Sequence, residues 1–296
     1  MKIGPVTSEN VTINAADGFR LAASIYPPGS ADRRDAVVLI NSGTGILRQF
    51  YGRYAAYLSS HGLPAITWDY RGIGESRPAS LRGFAARMRD WGEKDLEGVL
   101  AYLEGEFPSR AILVVGHSAG GQILGLSARA SHIAAVVAVA AQSGFYRHWP
   151  RPRRWAMAAL WGVVMPGATA ALGYFPARAL GLGEDLPRGV AFEWATWCRN
   201  PQYMVGDDGR PLRPHFDVLR APILGYSFSD DPFAPRAAVE QMLSFYRHAP
   251  RIHRHLVPHE SGLPKIGHFG FFRENVRDTL WAESLDFLLR RGAIAA

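Results

Sequence analysis

Ala111-Ile112-Leu113-Val114-Val115-Gly116-His117-Ser118-Ala119-Gly120-Gly121-Gln122-Ile123-Leu124 is the stretch on which the fold turns. Residues 111–115 form an apolar, β-branched run that reads as a buried strand, and Gly121 to Leu124 reads as the start of a buried helix. The G-x-S-x-G pattern at 116–120 therefore falls in a strand–turn–helix context, where it places a serine at the tip of a very tight turn. A residue there has strained backbone angles, and only very small residues fit two positions to either side. Such a turn lifts the Ser118 hydroxyl off the backbone, open to a base on one side and a carbonyl on the other. The pattern alone recurs by chance in a chain rich in Gly and Ser; its flanks make Ser118 the candidate nucleophile.

Outward from this stretch, short apolar runs alternate with helical patterns, the rhythm of a parallel sheet. Residues 6–13 and 19–26, hinged at Asp17-Gly18, read as an antiparallel hairpin. Residues 36–41 and 64–68 read as strands separated by a helix over 50–60, and a helix over about 90–104 leads into the serine strand. Residues 133–140, 222–228 and 252–257 supply further strands, and 274–289 an amphipathic closing helix. Between the sixth and seventh of these strands, roughly 145–220 is rich in Trp, Arg and Pro, without strand pattern, and far too long for an ordinary loop. The expected organisation is a core of 1–144 and 221–296 with a helical cap, 145–220, inserted into it.

Composition narrows the function classes. At 296 residues the chain can bury one large α/β core with an inserted subdomain. The formal net charge of +7 suggests nucleic acid at first sight, but the basic residues are nearly all Arg, scattered among acids, as GC-rich bacterial coding produces. No nucleic-acid partner is expected. The single cysteine, Cys198, rules out an internal disulfide and a cysteine-based zinc site. The first ten residues lack the apolar core of a secretory signal, so a cytoplasmic location is expected. Trp155 to Phe175 contains no charged residue and is long enough to cross a bilayer. Gly162, Pro166, Gly167 and Gly173 interrupt it, however, and a span would pull apart the two halves of one sheet; a buried or interfacial lid is expected instead.

A serine hydroxyl needs a base, and the resulting imidazolium needs a carboxylate. On this fold the partners follow the serine in the order acid, histidine, on loops at strand C-termini. Ser227-Phe228-Ser229-Asp230-Asp231-Pro232-Phe233-Ala234-Pro235 follows the seventh strand, and Asp231 is the candidate acid because Asp-x-x-x-Pro puts its carboxylate at the loop tip. Asp230 is held in reserve, and either aspartate also fits an N-cap or turn. Among ten histidines, His268 is chosen because it comes after the last strand, follows Lys265-Ile266-Gly267 and precedes Phe269-Gly270-Phe271-Phe272 and the closing helix, on a loop able to return over the serine. His253 and His255 alternate along a strand and read as ordinary surface groups. For the developing oxyanion, one donor is expected from the backbone of Ala119 and a second from Ser42-Gly43-Thr44-Gly45, with Thr44 chosen and Gly43 or Gly45 open. That loop lacks the spacing of a phosphate cradle.

On these residues the chain resembles the α/β-hydrolases along nearly its whole length: the 116–120 turn, Asp69-Tyr70-Arg71-Gly72-Ile73-Gly74-Glu75-Ser76, Asp231 with Pro235, and Gly267-His268. It is similar to a poorly characterised bacterial group of predicted α/β-hydrolases through Leu180-Gly181-Leu182-Gly183-Glu184-Asp185-Leu186-Pro187, Trp197-Cys198-Arg199 and Ile266-Gly267-His268-Phe269-Gly270-Phe271-Phe272-Arg273. The resemblance implies an eight-stranded, mostly parallel sheet with helices on both faces, a helical cap after the sixth strand, and a Ser118–Asp231–His268 triad. It implies no substrate. Asn41-Ser42-Gly43 stands where the family commonly has His-Gly, which leaves the second oxyanion donor open.

Five of the eight tryptophans fall in the inserted segment, and Trp149, Trp155, Trp161 and Trp194 are the candidate substrate-binding residues, suited to an apolar acyl chain or aromatic ester. Many of these rings are equally suited to docking the cap on the sheet. Arg147, Arg151, Arg153 and Arg154 form a basic cluster at its entrance, fit for an anionic or carrier-bound substrate or simply for solvent. The expected activity is hydrolysis of a hydrophobic ester or thioester through an acyl-enzyme, with no metal and no organic cofactor. Acyl transfer to another acceptor and a non-catalytic scaffold are the alternatives; oligomeric state is not legible.

Overall fold

Runs of aliphatic and β-branched residues without charge become the interior strands of one eight-stranded sheet in the computed structural model, which describes residues 8–29, 34–263 and 265–292. In chain order the strands are β1 (Glu9–Asn14), β2 (Arg20–Tyr26), β3 (Ala36–Asn41), β4 (Ala65–Trp68), β5 (Ala111–His117) and β6 (Ile133–Val139). A two-residue pair, β7 (Tyr174–Phe175) and β8 (Leu186–Pro187), stands apart, and β9 (Ile223–Phe228) and β10 (Arg251–Leu256) complete the sheet. The order is β1-β2-β4-β3-β5-β6-β9-β10, parallel throughout except for β2, which runs antiparallel to β1 and β4. β3 and β9 are buried at every residue, whereas the edge strands β1 and β10 alternate or face solvent. Sheets covered on both faces require such unbroken apolar strands.

The helices packed on the sheet are α1 (Gly52–Ser60) against β4, α2 (Glu97–Glu106) against β1, and α3 (Ala119–Gln122) directly after β5. After the insertion, α7 (Arg236–Ser244) packs on β9 and β10, and α8 (Ala282–Gly292) on β5 and β6. Expected helix starts differ where the winding changes: a π turn, Trp91–Leu96, precedes α2, and Glu274–Val276 and Arg277–Trp281 wind as 3-10 and π turns before α8. The first two residues of the expected strand 6–13 lie outside the described residues.

The segment between β6 and β9 departs from expectation at one point. It contains the β7–β8 ladder, Tyr174 opposite Pro187 and Phe175 opposite Leu186, where no strand was expected. It also contains α4 (Arg153–Ala159), a π turn Leu160–Val164 and α5 (Met165–Leu172), wound as one continuous helix, followed by α6 (Arg188–Arg199). That long helix is not buried, which removes one of the two readings of residues 155–175; only 17 % of its most apolar stretch lies inside the protein.

The 69–76 segment is a brace. Asp69 is fully buried and accepts from the Arg48 guanidinium at 2.6 Å and from the Arg48 backbone at 2.8 Å. Arg71 spans Asp95 at 2.6 Å and Asp17 at 2.8 Å. Buried ions of this kind persist because each finds its counter-charge and hydrogen bonds. His253 and His255 are likewise not plain surface groups: His253 Nε2 and His255 Nδ1 each meet the Ser227 hydroxyl at 2.8 Å, and partial burial holds both rings below the ordinary histidine range.

Candidate active site

The turn after β5 places Ser118 at φ 50°, ψ −116°, in the left-handed half of backbone space that side chains avoid. The glycines answer to contact. A Cβ on Gly116 would lie 2.6 Å from the backbone of Gly121, and one on Gly120 would lie 2.3 Å from the Asn41 carbonyl oxygen. β5 and β3 thus meet α3 at a distance only glycine allows. Asn41 ties the same point together, donating to the Gly120 carbonyl at 3.2 Å and accepting from the Trp68 indole at 2.9 Å. This is the structural use of the Asn41 that departs from the family's common His-Gly.

Two neighbouring aspartates hold the histidine loop, each in a different way. Asp231 Oδ2 meets His268 Nδ1 at 2.8 Å, while its Oδ1 accepts from the backbone of Phe233 at 2.7 Å and Ala234 at 3.1 Å. Asp230 accepts from the backbone of Ile266 and Gly267, both at 2.9 Å. With Nδ1 engaged by Asp231, the other ring nitrogen of His268 is left for the cavity that His268 borders with Ser118. The Ser118 hydroxyl donates to Gln142 Oε1 at 3.3 Å. Gln142 is oriented from behind: Tyr203 donates to Gln122 at 2.8 Å, and Gln122 donates to Gln142 Oε1 at 3.4 Å.

A relay that sequence reasoning missed joins three loops. The Gly43 N–H donates to the Tyr51 oxygen at 2.8 Å, so the Tyr51 hydrogen is directed to His117 Nδ1, also at 2.8 Å. His117 Nε2 faces the carbonyl of His268 at 2.9 Å, which only accepts; Nε2 therefore carries the proton and the ring is neutral. Burial, reinforced by nearby His268, holds His117 well below the ordinary histidine range. The residue beside the serine thus binds the 42–45 loop to the loop of His268. Because Gly43 spends its N–H on Tyr51, it is no donor to the cavity; Thr44 borders the cavity beside it, and Ala119 opens α3, where first-turn amides lack helical partners.

Above Ser118 lies a cavity of about 330 Å³. Its walls are largely apolar: Met157, Leu160, Trp161, Met165 and Trp194 come from the insertion, and Ile46, Phe233 and Phe269 from outside it. Of the four tryptophans singled out from sequence, Trp149, Trp161 and Trp194 line it, with Trp149 fixed by its N–H on the Pro232 carbonyl at 2.9 Å and Trp161 against Trp194 at 4.7 Å between ring centres. Trp155 does not; it is 60 % exposed on the outer side of the long helix. Trp197 is fully buried elsewhere, donating to the Val205 carbonyl. Among the described residues no cluster of three or more His, Cys, Asp or Glu is arranged to hold a metal ion.

Comparison with known proteins agrees with this architecture. The model of the family described as serine aminopeptidase, S33, matches residues 32–195, 164 of the 296 residues, taking in Ser118 and ending before Asp231 and His268. No curated protein matches the sequence. Solved structures that resemble it include a soluble variant of monoglyceride lipase from Saccharomyces cerevisiae, at 15 % identity and TM-score 0.71, covering 98 % of each chain. The α/β hydrolase GrgF from Penicillium sp. sh18 matches at 19 % identity and TM-score 0.63, over 97 % of this chain and 100 % of that one. The esterase Pf2001 of Pyrococcus furiosus matches at 15 % identity and TM-score 0.58, over 97 % and 93 %. At such identities the likeness is one of fold, while the family match spans more than half the sequence; the chain belongs to the serine aminopeptidase S33 family and is an α/β serine hydrolase.

Proposed function

We propose that this hydrolase cleaves an ester or thioester of a hydrophobic acyl or aromatic small molecule, with Ser118 as nucleophile, His268 as base and Asp231 as its orienting carboxylate. The observation that carries the reading is a strained serine opening into an apolar cavity that also holds a histidine fixed by a buried aspartate. In this reading the Ser118 hydroxyl leaves Gln142 and gives its proton to His268 Nε2 as its oxygen bonds the substrate carbonyl carbon. The Ala119 and Thr44 amides meet the oxyanion. Collapse expels the alcohol or thiol, which takes the proton from His268. Water then attacks the acyl-enzyme, His268 takes its proton, and the acid leaves as the proton returns to Ser118. Residues 145–220 act as the cap over a core of 1–144 and 221–296, and its Trp149, Trp161 and Trp194 contact the acyl or aromatic part.

The family's description raises peptides as substrates. A peptide's α-ammonium group needs a carboxylate, and Glu184, the one acidic residue among the described residues bordering the cavity, is already engaged by Arg178 at 2.8 Å. This favours the ester. Fluorophosphonate labelling of wild type but not Ser118→Ala, with faster turnover of medium-chain acyl esters than of aminoacyl anilides, supports the reading. Preference for the anilides, or equal labelling of Ser118→Ala, overturns it.

A further inference from the structure

The helix from Arg153 to Leu172 has two apolar faces where a surface helix of a soluble protein has one. Its inner face supplies Met157, Leu160, Trp161 and Met165 to the cavity. Its outer face presents Trp155, 60 % exposed, and Val163, 71 % exposed, with Val164 and Leu172 also exposed, and no charged residue interrupts it from 155 to 172. Leu182 and Phe233 are both exposed and border the cavity, so the rim is apolar as well. An exposed apolar strip of this length marks a surface that something covers.

Charge indicates what covers it. Arg147, Arg151 and Arg153 are exposed at the start of this helix with Arg154 partly so, and none of the four is among the ion pairs of the described residues. At the far end, exposed Arg82 packs its side chain against Gly173, 3.3 Å from where a Cβ would stand. Cationic groups flanking an apolar strip match an anionic bilayer surface, with guanidinium groups at the phosphates and Trp155 at the headgroup level. A second copy of the chain on the strip would set arginines against another basic molecule and crowd the cavity's rim. A lipid surface instead leaves the rim facing a source of apolar substrate.

We infer that the outer face of the Arg153–Leu172 helix docks in the plane of an anionic phospholipid membrane, held by its apolar strip and by the arginines at its N-terminal end. The helix does not span, because its inner face packs against α6 and forms the cavity wall. Docking is independent of the proposed hydrolysis, and its test requires no turnover.

The experiment is flotation of the full chain with vesicles of phosphatidylglycerol mixed with phosphatidylcholine, against vesicles of phosphatidylcholine alone. Wild type and Ser118→Ala are expected to float equally with the anionic vesicles, several-fold less with the neutral ones, and to be released by high salt. Arg151→Glu/Arg153→Glu and Val163→Glu are each expected to lower the partition coefficient about tenfold or more while keeping the wild-type melting temperature. Failure of wild type to float overturns the inference, as does flotation unchanged in either variant. Retention through alkaline carbonate washing also overturns it, since that is the behaviour of a span. So does a wild-type dimer that Val163→Glu dissociates without any flotation, since the strip would then join two copies.

Discussion

Two helices flank Ser118, one following it and one covering it, and both are poor in charge. α3, after the serine, is buried at all four residues and its glycines are pressed against β3 and β5. The Arg153–Leu172 helix is equally apolar and lies mostly in solvent. The difference lies in how closely each is specified. Around α3 the side chains of Asn41, Tyr51, His117, Gln122 and Gln142 are held by one another or by the backbone at hydrogen-bond distance, so a small change there disturbs the chemistry. Around the covering helix packing is one-sided, and changes there alter what binds. The buried side should therefore show large effects on turnover, and the covering helix small effects confined to substrate preference.

The largest expected effect is at the site itself. Ser118→Ala and His268→Ala should each lower kcat/KM by about a thousandfold or more with melting temperature little changed, whereas His255→Ala should alter it little. Steady-state kinetics with a soluble ester, paired with thermal melts, reads both; comparable losses at His268 and His255 would remove His268 from its role.

Next come the two aspartates. Asp231→Asn should reduce turnover by about a thousandfold or more, because an amide cannot stabilise the imidazolium and favours the wrong tautomer. Asp230→Asn replaces one of two acceptor oxygens with an NH2 group facing a backbone N–H, so it should cost turnover about tenfold through misplacement of the 266–268 loop, with a lowered melting temperature. A reversed ranking would place the working carboxylate on Asp230.

The relay through His117 sets a smaller, pH-dependent effect. His117 is held below its ordinary value of 6.5, so its stabilising contribution is present above that pH. It is lost as pH falls, since the unfolded chain then takes up a proton that the native ring refuses. Urea unfolding at pH 7 and about 5 should show wild type losing more stability with acid, or gaining less, than His117→Gln. His253 and His255 are depressed in the same direction, while Asp95, raised to about 7 by burial, acts in the opposite one, so the difference between wild type and variant is what isolates His117. Tyr51→Phe leaves both the Gly43 N–H and His117 Nδ1 unpaired and should cost about 1–3 kcal/mol.

The smallest effects belong to the covering helix. Trp161→Ala should slow long-chain or aromatic esters more than acetate esters through lost contact. Trp155→Ala should leave the chain-length profile unchanged and stability within about 0.5 kcal/mol. Equal chain-length effects at both positions would mean that the outer face of the helix also reads substrate.

The sheet was legible because buried parallel strands impose unbroken aliphatic runs, and 36–41, 111–115 and 133–140 have nothing else to become. The serine turn was legible because its glycines sit at fixed offsets. The tryptophans were not, because an aromatic stripe does not say which face it serves. Trp155 and Trp161 are six residues apart, about 120° around a helix, so one helical face could not carry both. The π turn at Leu160–Val164 further shifts the phase between them. The relay was hidden for another reason: Tyr51 meets His117 across 66 residues, and no local pattern marks the pair. Gln142 did leave a signal, a polar side chain just past the C-terminal end of a fully apolar strand, where sites of parallel sheets gather.

The backbone at Ser118 carries one further consequence, for the balance between function and durability. A side chain at φ 50°, ψ −116° stores strain on the order of 1–3 kcal/mol, which the surrounding packing must offset. Alanine in its place keeps the Cβ and hence the strain; glycine releases it, at the cost of about 0.4–1 kcal/mol from a freer unfolded chain. Ser118→Gly should therefore outlast Ser118→Ala on heating although both lack the hydroxyl. The enzyme would then be most robust in a form that cannot react, with thermal endurance given up at a single residue for a reactive posture.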